Sequence, residues 1–298
     1  MALWIKNSLL ALLGMAVLIT IILAVGASRL KRETQALTQQ MTRLASTKSS
    51  TVDFGSFAEL PRPVQRYFRN VLGENPRIIR LARVQQTGVL EINPQAEKWT
   101  PFTATHMAAV NPAGFIWDAK INITPGFHVR VRDSFVNGVG GGKVSLLSAI
   151  PMGGERDFPE INSGALYRYL AESVWYPTAL LPQSGVRWQA VDEHRAVAHL
   201  AESGISVSLE FRFNDVGEAT GVYTEDRFGK FGDAYVKYPW EGRFRNYRRF
   251  NGVKIPTEGE VGWHLPQGWW MFLQCKIESV DFEFSETLLT STTIKDLH

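Results

Sequence analysis

One cysteine, Cys275, in a chain of 298 residues excludes an intrachain disulfide framework and any zinc site built from several cysteines. Charge of one sign is also scarce. The 32 Lys and Arg residues against 29 Asp and Glu leave a net charge of +3, so nothing favours nucleic acid as a partner. Metal-ligand spacing is missing among the histidines. His194 and His199 lie five apart in an extended stretch and face opposite sides, and His106, His128 and His264 stand alone. These read as surface or satisfied structural histidines, and no metal or cofactor is expected. No nucleophile elbow, HExxH or paired-cysteine motif occurs. The glycine-rich NGVGGGKVS at 137–145 departs from a phosphate-binding loop. Asn137 stands where that pattern needs Gly, and Val144 where it needs Ser or Thr. It reads as a hairpin between two strands.

Hydrophobic residues make up 45% and charged residues 20%, a globular balance in a chain long enough for one large β-domain plus a tail. Residues 8–27 carry no charge, and about 20 apolar residues suffice to cross a bilayer. Lys6 precedes them, and Arg29, Lys31 and Arg32 follow. A retained single-pass anchor over residues 1–28 is expected. A cleaved signal peptide ending near Val25-Gly26-Ala27 is the competitor. The flanking bases favour a cytoplasmic carboxyl side, whereas a signal-anchor reading places the domain outside; the expectation leans to the extracytoplasmic side. Residues 29–54 form a stalk or linker, with Leu30, Leu37, Met41 and Leu44 at helical spacing, fraying into STKSST at 46–51; plain disorder is the alternative. The β-rich domain takes the remainder, 55–298. It opens with a helix whose apolar stripe is Phe57, Leu60, Val64, Tyr67, Phe68 and Val71. Arg62, Arg66 and Arg69 lie off that stripe, on a solvated face or against lipid phosphate.

From residue 78 onward the period is two. Phe115, Trp117, Ala119, Ile121 and Ile123 alternate with Asp118, Lys120, Asn122 and Thr124, and Val129, Val131 and Phe135 with polar neighbours. Ile205 through Phe213 alternates likewise. Further runs lie near 78–92, 99–110, 143–149, 187–201, 219–228, 240–250, 253–264 and 269–284. The expected fold is mainly β (α+β): a large curved antiparallel sheet or half-barrel with a mid-chain helical insert. The insert is RYLAESVWYPTALLP at 168–182. Leu166, Leu170 and Val174 share a side, Asn162 or Ser163 caps the start, and Pro177 ends it. It should cover the concave face with Trp175 at the rim. A flat helix-on-sheet layer with no cavity is the alternative.

Asp133 has the parity of Val129, Val131 and Phe135, so it should face the apolar side and need a basic partner, Arg168 or Arg227. Eight of the nine tryptophans lie beyond residue 90. Trp117, Trp175, Trp188, Trp240, Trp263, Trp269 and Trp270 can fill a core or line a pocket, with Trp263 and Trp269 neighbours across the 266–268 turn. The ligand-binding candidates are Trp117, Asp133, Arg168, Glu172, Trp175, Arg227 and Trp240.

The chain resembles an uncharacterised bacterial domain-of-unknown-function family. The likeness rests on LPRPVQRYF (60–68), WTPFTA (99–104), GFIWDAKI (114–121), VRDSFVNGVGG (131–141), LYRYLAESVWYPTALLP (166–182), YPWEGRF (238–244) and NGVKIPTEGEVGW (251–263). It covers most of 57–284 and implies no activity. The layout also looks like the lipoprotein-carrier half-barrel, a likeness of architecture alone. The expected function is a membrane-anchored envelope protein whose concave face binds a hydrophobic ligand, a lipid or acyl chain. Its partners are then the membrane and that ligand. A hydrolase using Asp133 or Glu172 and a structural protein with a filled core are the alternatives.

Overall fold

Period-two alternation is realised as one antiparallel sheet. The computed structural model describes residues 2–45, 51–53, 55–74, 76–91 and 98–285. The first arm comprises β1 (Ile79–Leu90), β2 (Thr100–Ala109), β3 (Gly114–Thr124), β4 (Phe127–Val136), β5 (Val139–Leu146) and β6 (Ile150–Arg156). The second comprises β7 (Arg187–Ala190), β8 (Arg195–Glu202), β9 (Ile205–Phe213) and β10 (Ala219–Thr224). A small hairpin follows, β11 (Phe228–Phe231) with β12 (Ala234–Lys237). The long strands β13 (Trp240–Phe250), β14 (Val253–Leu265) and β15 (Gly268–Phe284) return to the middle. The 13-stranded order is β6-β5-β4-β3-β2-β1-β15-β14-β13-β10-β9-β8-β7. Hairpin turns follow from local chemistry: Asn137-Gly138 and Asn251-Gly252 both take positive φ, at 54° and 78° and at 47° and 86°. The sequence reading missed β6, β11 and β12, and its single run at 187–201 is two strands. That run breaks at Asp192, whose Oδ1 accepts from the His194 amide at 2.9 Å and closes a turn.

The curvature can be demonstrated from one helix. Helix α3 (Pro159–Glu172) packs against β4 and β5 on one arm and β9 on the other. Eight strands separate β5 from β9 in the sheet order. Laid flat, they would lie about 43 Å apart, at about 4.8 Å per strand. A helix about 10 Å across touches both only if the sheet wraps around it. The architecture is a half-barrel with α3 in its concavity. The helix starts at Pro159, earlier than expected, because proline suits the first helical position. Asn162 does not cap it; its Oδ1 accepts from the Gly140 amide at 2.7 Å and ties the helix to β5. Helix α3 ends at Glu172, before Pro177. Three short 3-10 turns, Ser173–Trp175, Pro177–Leu180 and Pro182–Ser184, carry the apolar surface onward. Leu166, Leu170, Val174, Leu180 and Leu181 are all fully buried there. Helix α2 (Arg62–Leu72), after a 3-10 turn at Gly55–Glu59, plugs the other end with Val64, Tyr67, Phe68 and Val71. Its Arg62 and Arg66 face Glu193 on the surface.

The chain before this domain is one continuous helix, α1 (Ala2–Leu44), running through both the expected anchor and the expected stalk. The apolar run from Trp4 to Val25 is exposed and long enough to cross a membrane. The remainder docks on the convex face, where Met41 and Ala45 pack on Leu81, Ala109, Ile116 and Val136. Arg132 Nη1 donates to Thr34 Oγ1 at 2.9 Å, Arg80 Nη1 donates to the Thr42 carbonyl at 3.1 Å, and Lys143 pairs with Glu33. The expected fraying at 46–50 lies outside the described residues.

Candidate functional site

The pleat lines up residues across the concave face of the first arm. Register pairs Val84 with His106, His106 with Trp117, Trp117 with Asp133, and Asp133 with Gly142. Opposite this row, α3 lowers Arg168 and Glu172 into the space between the arms, and the segment after β10 brings in Arg227. Arg168 Nη1 donates to Asp133 Oδ2 at 2.7 Å, and its Nε donates to Glu172 Oε1 at 2.9 Å. Its guanidinium lies over Trp117, 4.7 Å from the ring centroid. Burial opposes its charge, but Glu172 and Asp133 hold its pKa above the ordinary value. Burial raises the Glu172 pKa, and Arg168 offsets only part of that rise.

His106 is completely buried, stacked between Phe115 (5.7 Å) and Tyr176 (5.9 Å). Its Nδ1 lies 3.5 Å from Glu172 Oε2, and neither ring nitrogen makes a hydrogen bond. Burial, with Arg168 nearby, pushes its pKa down to about 3, so the ring is neutral. Arg227 lies over Trp240 at 4.7 Å and Trp263 at 5.1 Å. Burial, then the repulsion of Arg168, brings its pKa down to about 10, and it stays charged.

Beside these charges is a cavity of about 170 Å³ whose apolar wall includes Phe102, Trp175, Val222, Trp240, Phe244 and Leu273. Its space arises from missing side chains on the central strands β13 and β14. A Cβ on Gly259 would sit 3.4 Å from Cys275 Sγ and 3.6 Å from the Trp175 ring, and Gly242 also lines the wall. Several buried polar atoms on this wall have no hydrogen-bond partner among the described residues: Gln86 Nε2, Trp175 Nε1, Arg227 Nε, Trp240 Nε1 and Glu172 Oε2. Native interiors rarely leave such groups unbonded, because each costs about 1–3 kcal/mol. Cys275 is also in the wall, with its thiol pushed up to about 12 by burial. Among the described residues no cluster of side chains could hold a metal ion.

The model of a family of unknown function (DUF6920) matches residues 58–282. The chain belongs to this family. No curated protein matches it. Among solved structures, the DUF6920 chain is similar to a domain described as an outer membrane lipoprotein-sorting protein from Vibrio parahaemolyticus. Identity is 11% and the TM-score 0.39, over 70% of this chain and 87% of that one. It is also similar to a LolA superfamily protein from Nitrosomonas europaea, at 11% identity and a TM-score of 0.32, over 78% and 94%. The half-barrel itself rests on the strand order and on the contacts of α3 with both arms.

All seven candidate residues line one cavity of the DUF6920 domain, with three corrections of detail. Asp133 is not buried: its side chain is 38% exposed, because the flanking strand offers only Gly142 beside it. The acid that is taken out of water is Glu172, at 15%. Trp175 is not at the rim but is 4% exposed, edge-on to His106. The pairing question resolves to Arg168; no carboxylate among the described residues forms an ion pair with Arg227. Trp263 and Trp269 do not meet, since register pairs Trp263 with Trp270 and sends Trp269 outward onto His264. The residues that sequence reasoning passed over are His106, Gln86 and Cys275. For His106 a signal existed: it shares parity with Phe102, Ala104 and Ala108, all buried.

Proposed function

We propose that the protein binds the end of an apolar ligand, a lipid or acyl chain, in the cavity under α3, while α1 anchors it as a single-pass envelope protein with the domain on the extracytoplasmic side. The observation that carries this reading is an aromatic-walled cavity with unbonded polar atoms in its wall. Such a combination suits a molecule with an apolar body and a polar end. The size sets a limit. An apolar cavity of about 150 Å³ accepts benzene, so this one takes a ring or a short length of chain. The rest of a long acyl chain would extend out between the arms. A hydrolase draws less support. Arg168 engages both of its candidate carboxylates, Asp133 and Glu172, and the depressed pKa of the adjacent His106 makes that ring a poor general base at neutral pH.

The test combines two measurements on the full chain. Lipid extracted from purified protein is identified by mass spectrometry, and a fluorescent short-chain fatty-acid probe is titrated against parent and Trp175→Phe protein. Stoichiometric ligand, or probe binding weakened in a folded Trp175→Phe variant, supports the reading. Absence of both leaves a structural protein. Anchoring is tested by alkaline carbonate: a protein that washes off membranes has no retained anchor.

A further inference from the structure

We propose that the ligand carries an oxyanion head, a carboxylate or a phosphate monoester, and that Arg227 with the Trp175 and Trp240 indole N–H groups receives it. This deepens the cavity reading and rests on it. The unbonded atoms on the wall are unequal in kind. Gln86 Nε2, Trp175 Nε1, Trp240 Nε1 and Arg227 Nε are donors, and only Glu172 Oε2 is an acceptor. A ligand that satisfies this wall brings acceptors. The two guanidinium groups also differ. Arg168 is engaged by two carboxylates, whereas Arg227 has aromatic faces as its neighbours and no ion pair among the described residues. A half-buried cation with no bonded carboxylate among the described residues, set in an aromatic wall, is a receptor for an anion. Asp133, Glu172 and Glu260 face the same space. Arg168 bonds the first two and Arg243 and Arg245 bond Glu260, so each of these carboxylates already has a basic partner other than Arg227. The apolar body then lies against Val222, Phe244 and Leu273.

The experiment compares octanoate, octyl phosphate and 1-octanol by calorimetry on the full chain in zwitterionic nanodiscs. Octanoate or octyl phosphate is expected to bind roughly tenfold more tightly than octanol, the gain of one charge-assisted contact. Whichever of the two binds better identifies the head. Arg227→Gln should bring the anion to within about twofold of octanol, and Arg227→Lys should restore most of the preference. Octanol binding as tightly as both anions in the parent protein, or a folded Arg227→Gln protein that keeps the full preference, overturns the head assignment and leaves the apolar cavity standing. No binding by any of the three overturns both.

A separate observation concerns the end of the sheet nearest the apolar part of α1. A Cβ on Gly26 would lie 2.4 Å from the Ala149 carbonyl oxygen, so the helix leaves the domain beside the β5–β6 turn. The strand ends at this place expose Phe127 (56%), Ile150 (41%) and Met152 (63%). Phe127 belongs to the same end, because the Leu147 amide bonds the His128 carbonyl at 2.9 Å. We infer that these three side chains rest in the interface of the bilayer that α1 enters, and that they fix the tilt of the half-barrel on the membrane. This rests on α1 being a retained anchor. A polarity-sensitive fluorophore on Met152→Cys is compared with one on Val216→Cys, which is also exposed, in proteoliposomes of the full chain; the parent protein is the blank. Blue-shifted emission quenched by doxyl lipid at 152 and not at 216 supports the contact. Equally wet probes overturn it while α1 stays anchored, and loss of the protein from the vesicles in carbonate overturns the anchor as well.

Discussion

Helices α1 and α3 are both rich in apolar residues and lie on opposite faces of the same sheet, yet their apolar surfaces meet different fates. Between the two arms, α3 has sheet on both sides, so Leu166, Tyr169 and Leu170 are buried. Two charged side chains, Arg168 and Glu172, are kept there because they bond each other. On the convex face α1 has sheet on one side and only along its second half. There Leu30 and Met41 are buried, while Leu9, Leu18, Ile22 and Val25 are exposed. Apolar content alone does not determine burial. The number of surfaces available to cover a helix does, and the sheet leaves the first half of α1 uncovered.

The sharpest way to break this contrast is a matched truncation. Leu170→Ala should cost about 2–5 kcal/mol in urea unfolding of the full chain in detergent, because α3 cannot collapse into the gap. Leu18→Ala, on the exposed part of α1, should stay within about 0.5 kcal/mol of the parent. Equal effects would mean that α1 is also part of the core.

The helix-to-sheet contacts offer the next comparison. A Cβ on Gly140 would lie 2.7 Å from the Ile161 carbonyl oxygen, against α3. Gly140→Ala should therefore cost about 1–3 kcal/mol, read as a lower melting temperature. Gly26→Ala meets the Ala149 carbonyl instead and should release α1 from the sheet, seen as faster proteolysis near residue 46, with the melting of the domain almost unchanged.

The buried titratable pair separates the faces by pH. His106 has its folded pKa lowered from 6.5 to about 3. The unfolded chain therefore binds a proton that the fold does not, and stability is present above 6.5 and lost as pH falls towards 3. The slope is at most about 1.4 kcal/mol per pH unit. Glu172 works in the opposite sense: its raised pKa favours the fold in acid, and that contribution is lost as pH rises through the folded value. Melting curves against pH should show a shallower acid limb for His106→Gln and a loss of the Glu172 contribution for Glu172→Gln. Identical curves for parent and His106→Gln would mean that the ring is solvated.

Among the charged side chains of the site, the smallest effect is expected at Asp133. A fully buried ion pair would lose about 3–5 kcal/mol on removal of one partner. With its side chain 38% exposed, Asp133→Asn should cost about 1 kcal/mol or less in the same urea assay.

Much of this arrangement was legible in the chain itself. Alternation through Phe115, Trp117, Ala119 and Ile121 specified a strand and its buried face, and the parity of Asp133 called for a base. Other features were not legible, for identifiable reasons. Residues 150–156 form β6 at the sheet edge, where every side chain is exposed or nearly so and no alternation is required. The choice of Arg168 over Arg227 depended on where α3 crosses β4, which no local pattern encodes. The cavity depended on two glycines in its wall, Gly242 and Gly259, the latter beside Cys275 on the neighbouring strand and under the Trp175 ring, and a glycine in a strand reads locally as a mere weakness.

The sequence by itself therefore determined the uncharged run of α1, the long alternating strands, the tight turns and the side of the sheet that the residues of those strands face. These follow from periods of 2 and 3.6 and from the chemistry of Asn, Gly and Pro, which act over a few residues. Only the tertiary structure decided that the sheet wraps around α3, that α1 docks on the outside, and that Glu172, Arg168 and Arg227 converge on one cavity with His106 buried behind Glu172. Those outcomes depend on strand order and on contacts between residues far apart in the chain, where burial and the lack of water set both the pairing and the protonation of each group.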